Sequence, residues 1–168
     1  MNRWLRILRH RLLDERHARR LIGAAGFDRI QAAIQRSEQG HSGEIRVCIE
    51  AGLPMSYLWR NADPRERAIA MFGKMGVWDT EFNNGVLIYL LLAEHRIEII
   101  ADRGLQRHVG ETGWRDIVDK LAAAFRDGRF EAGIIEAIGE VDQLLRQHFS
   151  LAEGQFNPDE LSNLPDVR

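Results

Sequence analysis

Residues 85–92, Gly-Val-Leu-Ile-Tyr-Leu-Leu-Leu, form an unbroken run of aliphatic and aromatic side chains behind a single glycine. The run is too short to span a bilayer, which needs about 20 apolar residues. Bounded by turn-forming residues, it predicts a strand covered on both faces. Ala93, Glu94 and His95 interrupt it, and residues 96–102 then resume with Ile97 and Ile99 on one side, Glu98 and Ile100 on the other. Two strand-forming runs around a tight polar break predict an antiparallel hairpin. A hairpin returns the chain to its starting end, so Asn83 and Asn84 are expected beside Asp102.

The rest of the chain supplies partners for that hairpin. Residues 44–50 alternate, with Ile45, Val47 and Ile49 inward, and predict a first strand. Residues 27–37 carry Phe27, Ile30, Ala33 and Ile34 at helical spacing. Residues 51–61, with Pro54, Met55, Tyr57 and Trp59, read as an apolar covering loop. Asp63 and Pro64 then supply an N-cap and a first-turn proline to a helix bearing Ala68, Met71, Phe72 and Met75. After the hairpin, residues 104–110 form a turn or half-helix. Next comes a helix with Trp114, Ile117, Val118, Leu121 and Phe125 on one stripe, and a last helix spans residues 130–149. Gly133 and Gly139 inside it are expected as points of close packing on the sheet. The order strand, helix, strand implies a parallel pair, and thus a small mixed sheet with helices on both faces.

The 168 residues, 45% hydrophobic and 29% charged, suit one domain with an ordinary core plus tails. A net charge of -2 gives no global attraction to nucleic acid. The lone Cys48 excludes an internal disulfide and a cysteine metal cluster, and reads as a buried small apolar residue. Residues 1–26 are a basic amphipathic helical segment, 27–149 the domain, and 150–168 a mobile acidic tail. Within residues 1–22, Arg3, Arg6, Arg9, Arg11, Arg16, Arg19 and Arg20 face only Asp14 and Glu15, a balance of +5. Trp4, Leu5, Leu8 and Leu12 lie at helical spacing there, with Ile7 nearby. Such a helix either packs its apolar stripe on the domain or lies on an anionic membrane surface. Arginines break up any secretory h-region, so the expected location is cytoplasmic, peripheral to the inner membrane.

Several stretches resemble the TPM domain family in order and spacing. They are Ser42-Gly43-Glu44-Ile45-Arg46-Val47, Trp78-Asp79, the Asn-Asn-Gly-Val-Leu-Ile-Tyr run at 83–89, and Asp102-Arg103-Gly104-Leu105. The Phe-Arg-Asp-Gly-Arg-Phe-Glu-Ala-Gly-Ile-Ile-Glu-Ala-Ile run at 125–138 completes the resemblance, which covers residues 27–149. It implies a three-layer α/β/α sandwich with a small mixed central sheet of about four strands. Relatives include proteins of photosystem II repair, with acid phosphatase activity, calcium-binding proteins and bacterial membrane-associated proteins. Many of those carry a signal peptide and an anchor, which this chain does not match. It also places Asn83 where those relatives usually have aspartate, removing a negative charge, and Ala101 where glycine is common.

With the first strand parallel to the run at 85–92, Glu44, Asp79, Asn83, Asn84 and Asp102 are expected to ring one pocket mouth. Glu44, Asn84 and Asp102 are candidate ligands for calcium or magnesium, which favour carboxylate and amide oxygens. Asp79 and Asp102 are the candidate catalytic carboxylates. Asn83 and Arg103 are candidate substrate contacts, Arg103 by pairing with phosphate. Each also has a plain structural reading: Asn84-Gly85 as a turn, Asp102 as a strand exit, Glu44 as a solvated charge. Glu50, Glu94 and His95 form a rival cluster at the carboxyl ends of the strands, where open α/β sheets usually bind ligands. No His-x-x-x-His pair, serine elbow or phosphate loop is present. Two functions remain. One is a binding or quality-control module with a protein partner, docked at the inner membrane face. The other is a divalent-metal-dependent acid phosphatase acting on phosphate monoesters.

Overall fold

The computed structural model describes residues 3–158 and 160–168. In chain order the elements are α1 (Arg3–Leu12), α2 (Glu15–Ile22), α3 (Ala24–Glu38), β1 (Ile45–Glu50), α4 (Met55–Trp59), α5 (Pro64–Lys74), β2 (Val86–Leu91), β3 (Arg96–Ala101), α6 (Arg103–Arg126), α7 (Phe130–Phe149) and β4 (Asp166–Val167). The hairpin forms as expected: β2 and β3 pair antiparallel from Val86 opposite Ala101 to Leu91 opposite Arg96. β1 lies parallel to β2, with Ile45 opposite Val86. The sheet order is β3-β2-β1-β4, with β4 parallel to β1.

Pleating sends alternate side chains to opposite faces. Ile45, Val47, Ile49, Val86, Ile88, Leu90, Ile97 and Ile99 meet α3, α6 and α7 in one core. Cys48, Leu87, Tyr89, Leu91 and Ile100 meet Leu58, Ala68 and Met71 of α4 and α5 in a second. β2 is therefore covered on both sides, which accounts for its continuous apolar run, and the architecture is a three-layer α/β/α sandwich. Asp63 caps α5 by accepting from Arg65 N at 2.8 Å, and Pro64 opens the helix. Gly110 breaks α6 with φ 68°, separating the expected half-helix from the helix bearing Trp114. Among the described residues no helix is long and apolar enough to cross a membrane.

Four expectations are corrected. Residues 55–59 are helical, and Leu58 is fully buried, so the covering loop is anchored rather than open. Gly133 does mark a close approach, but to Ala124 and Leu121 of α6, not the sheet; a Cβ on Gly139 would meet nothing within 4 Å. Within the segment 150–168, expected as a mobile tail, Asp166–Val167 pair parallel with β1. There Ala51 N donates to Arg168 O at 2.7 Å and Arg168 N donates to Ile49 O at 3.0 Å. Backbone pairing on an open strand edge needs no hydrophobic period, so the composition gave no sign of it.

The fourth correction concerns α1. Its buried residues are Arg6 and His10. Arg6 donates to Glu94 Oε1 at 2.6 Å, Asn61 Oδ1 at 2.8 Å and Ala62 O at 2.8 Å. His10 Nδ1 accepts from Leu53 N at 2.9 Å, so the ring proton sits on Nε2 and donates to Glu94 at 2.8 Å. The helix thus packs through its polar side, and Trp4, Leu5, Leu8 and Leu12 face outward, each more than half exposed.

Candidate functional site

Three strands bring their ends together where the hairpin opens. Val86 N donates to Glu44 O at 2.8 Å and Asp102 N donates to Gly85 O at 2.9 Å. Glu44, Gly85 and Asp102 therefore form one row across the sheet, just beyond β1, β2 and β3. Gly104 N donates to Asn83 O at 2.9 Å, so Asn84 is bracketed by bonds from Asp102 and Gly104. Asn84 and Asp102 are brought to one end, as the hairpin requires.

Glu44, Asn84 and Asp102 are all buried. The Glu44 carboxylate, expected as solvated or metal-binding, accepts from the backbone N–H groups of Glu160 and Leu161 at 3.2 and 3.3 Å. The returning C-terminal segment is its partner. Asn84 receives no such satisfaction at its oxygen. Its backbone N–H donates to Thr80 Oγ1 and its Nδ2 to Ser42 Oγ, both at 3.1 Å, while Oδ1 is buried with no protein donor. Asp102 is the N-cap of α6, its Oδ1 accepting from Arg103 N at 2.6 Å. Its Oδ2 is likewise buried with no protein donor. Asp79, Asn83 and Arg103 are exposed. Asn83 adopts a left-handed φ of 53°, a conformation asparagine tolerates better than most residues. A cleft of about 540 Å³ opens alongside, lined by Ser42, Glu81, Phe82, His148 and Phe156 among others.

Amide and carboxylate oxygens are ligand types that a hard divalent cation takes. Among the described residues no three His, Cys, Asp or Glu side chains converge where they could hold a metal. Of the expected ligands, Asn84 and Asp102 each keep one oxygen without a protein donor, while Glu44 is engaged by the C-terminal segment.

The rival cluster divides into two structural networks. Glu50 accepts from Tyr89 OH at 2.6 Å and from Arg67 through both Nε and Nη2, at 2.9 and 2.6 Å. Burial pushes the Tyr89 hydroxyl well above its ordinary range, assisted by Glu50. Glu94 holds α1, and His95 is exposed at the turn. Glu50 and Glu94 are thus committed to neighbours that periodicity in β1 and β2 does not reveal.

A Ser37–His41–Asp142 arrangement also went unnoticed in the sequence, because its members lie on α3, the following turn and α7. Its wiring excludes a catalytic triad. His41 Nδ1 accepts from Gly43 N at 3.2 Å, leaving the ring proton on Nε2, directed at Ser37 Oγ at 2.8 Å. Ser37 in turn donates to Asp142 at 2.9 Å. The imidazole cannot take the serine proton, so the chain is a clamp between α3 and α7. Burial pushes His41 down to about 4, opposed by Asp142 and aided by Arg146. An unfolded His41 titrates near 6.5, so below that pH the unfolded chain binds the extra proton. Stability is expected to be full above pH 6.5 and to fall as pH drops towards 4, by on the order of 3 kcal/mol from this group. His10, also lowered by burial, acts with the same sign. Urea unfolding midpoints across this window check the expectation. His41→Asn, whose amide oxygen can replace Nδ1 as acceptor, should flatten the acid limb; an unchanged limb contradicts it.

The layers and this polar strand end define a small α/β/α domain with buried polar residues at the end of its central strands. The family model for the TPM domain matches residues 18–144. The chain belongs to the TPM domain family. It is similar in structure to the BA42 protein of the psychrophilic bacterium Bizionia argentinensis, at 26% identity and a TM-score of 0.75, over 86% of this chain and 94% of that one. The N-terminal domain of a protein from P. gingivalis shares the fold at 20% identity and a TM-score of 0.63, over 79% of this chain and 83% of that one. No curated protein matches the chain.

Proposed function

We propose that this TPM domain is a binding module that takes a divalent cation, calcium or magnesium, at Asn84 and Asp102. The observation that carries the reading is the pair of buried oxygens, Asn84 Oδ1 and Asp102 Oδ2, with no protein donor. A buried acceptor left unpaired is costly, and a cation bound at this strand end would offset that cost. The N-cap geometry holds Asp102 in place, and the Thr80 and Ser42 contacts hold Asn84. With Asn83 in place of an aspartate and Glu44 engaged by the tail, the site carries little charge. Affinity is therefore expected near the weak end of the calcium range, about 1 mM. Water would supply the remaining ligands.

Thermal melting of chelator-treated protein tests this. A tenfold excess of cation over Kd stabilises by about 1.4 kcal/mol, a rise in Tm of about 3–5 °C. Asp102→Asn keeps the cap and removes the charge, and should abolish most of the rise. No rise in the wild type at about 10 mM calcium or magnesium, ten times the expected Kd, contradicts the proposal.

Arg103 favours a second reading, hydrolysis of a phosphate monoester. It is exposed on the first turn of α6, directly after Asp102, where a guanidinium can pair with phosphate oxygens. A bound cation would polarise the ester and its attacking water. Turnover of a chromogenic phosphate ester above an Asp102→Asn control supports this reading, and equal turnover rejects it.

A further inference from the structure

We propose that α1 docks the protein on an anionic lipid surface, lying along it with its apolar face down. The helix is held the opposite way round from an ordinary amphipathic helix. Its polar residues, Arg6 and His10, are locked inward onto Glu94, Asn61, Ala62 O and Leu53 N. The helix end also lies against Gly52, where a Cβ would come within 2.6 Å of His10 O. Rolling the apolar stripe inward would break all of these contacts and strand Glu94 in a half-buried position. The outward face is therefore fixed by the fold.

That face has the chemistry of a membrane interface. Trp4, Leu5, Leu8 and Leu12 are exposed on α1, and Trp59 of α4 is exposed beside them. The rings of Trp4 and Trp59 meet edge to face at 6.2 Å, and the Arg3 guanidinium lies over both at 5.9 and 5.4 Å. Indole rings and snorkelling arginines are favoured together at the headgroup level. α1 itself exposes Arg3, Arg9 and Arg11 and contains no acidic residue, in a chain of net -2. On α2, Asp14 is used as the N-cap and Glu15 pairs with Arg19. A second copy of this chain would set the same positive face against itself. Nucleic acid would match the arginines but leave the leucines in water. A bilayer of anionic lipid accepts both.

The experiment is co-sedimentation of the full chain, in excess EDTA, with vesicles of phosphatidylcholine alone or containing phosphatidylglycerol. The chelator makes the result independent of the proposed cation site. Binding to anionic vesicles should exceed binding to neutral ones by at least about tenfold and weaken with salt. Leu8→Ser/Leu12→Ser and Arg9→Gln/Arg11→Gln replace only outward residues, and each should lose at least about tenfold in vesicle affinity. Circular dichroism confirms that these variants fold. The proposal is overturned if anionic vesicles are not bound, if both variants bind as the wild type does, or if sedimentation velocity shows a dimer that the leucine variant dissociates.

Discussion

Replacing Arg67 with alanine is expected to cost about 3–5 kcal/mol, because it leaves a buried carboxylate without its counter-charge. The Glu50 and Arg67 side chains are only 4% and 12% exposed, and their contact is bidentate. Tyr89 OH adds a third donor to the same carboxylate, and Tyr57 lies beside the guanidinium at 5.3 Å. Once Arg67 is gone, Glu50 must take up a proton or admit water between α5 and the sheet. Equilibrium urea unfolding reads the loss as a lower midpoint. Glu50→Gln/Arg67→Met removes both charges while keeping an acceptor for Tyr89, and should recover most of it. A single variant as stable as the wild type would show that the pair is solvated in solution.

Gly85→Ala should cost about 3 kcal/mol, at the upper end of overpacking penalties. A Cβ there would lie 1.9 Å from Val77 O and 3.0 Å from Val77 C. Both are backbone atoms of the segment leading into the site, so the strain cannot be relieved by a rotamer change. Backbone freedom is not the reason, since Gly85 is outside the positive-φ set. The row Glu44–Gly85–Asp102 would have to move as a unit. The variant is therefore expected to lose the cation-induced rise in Tm as well as stability. A midpoint within about 0.5 kcal/mol of the wild type, the range of ordinary surface substitutions, would contradict the packing described.

The hairpin and its flanks were legible because their signals are local. An apolar run of strand length, a polar break and a second run define β2 and β3. Asp63-Pro64 marks the start of α5 without reference to anything distant. Once the hairpin is drawn, the meeting of Asn84 with Asp102 follows from topology. What stayed hidden depends on partners far along the chain. Periodicity in α1 points the leucines inward, yet Glu94, in a turn 88 residues after Arg6, selects the polar side instead. Electrostatic complementarity of that kind leaves no period in either segment. The two-residue β4 and the Glu160 and Leu161 N–H groups on Glu44 are backbone interactions, which side-chain composition does not report. Glu50 looked like a ligand because β1 shows only that it lies at the strand's end. Its satisfaction is supplied by α5 and β2.

The proposed cation site at Asn84 and Asp102 is most directly tested by following backbone amide resonances of chelator-treated protein during a calcium or magnesium titration. The amides of Asn84, Gly85, Asp102, Arg103 and Gly104 are expected to shift together, saturating along one isotherm, with those of α1 and the Ser37–His41 clamp unmoved. The same titration of Asp102→Asn should leave this group still. Shifts confined to exposed acidic surface residues, or none at this strand end, would contradict the assignment.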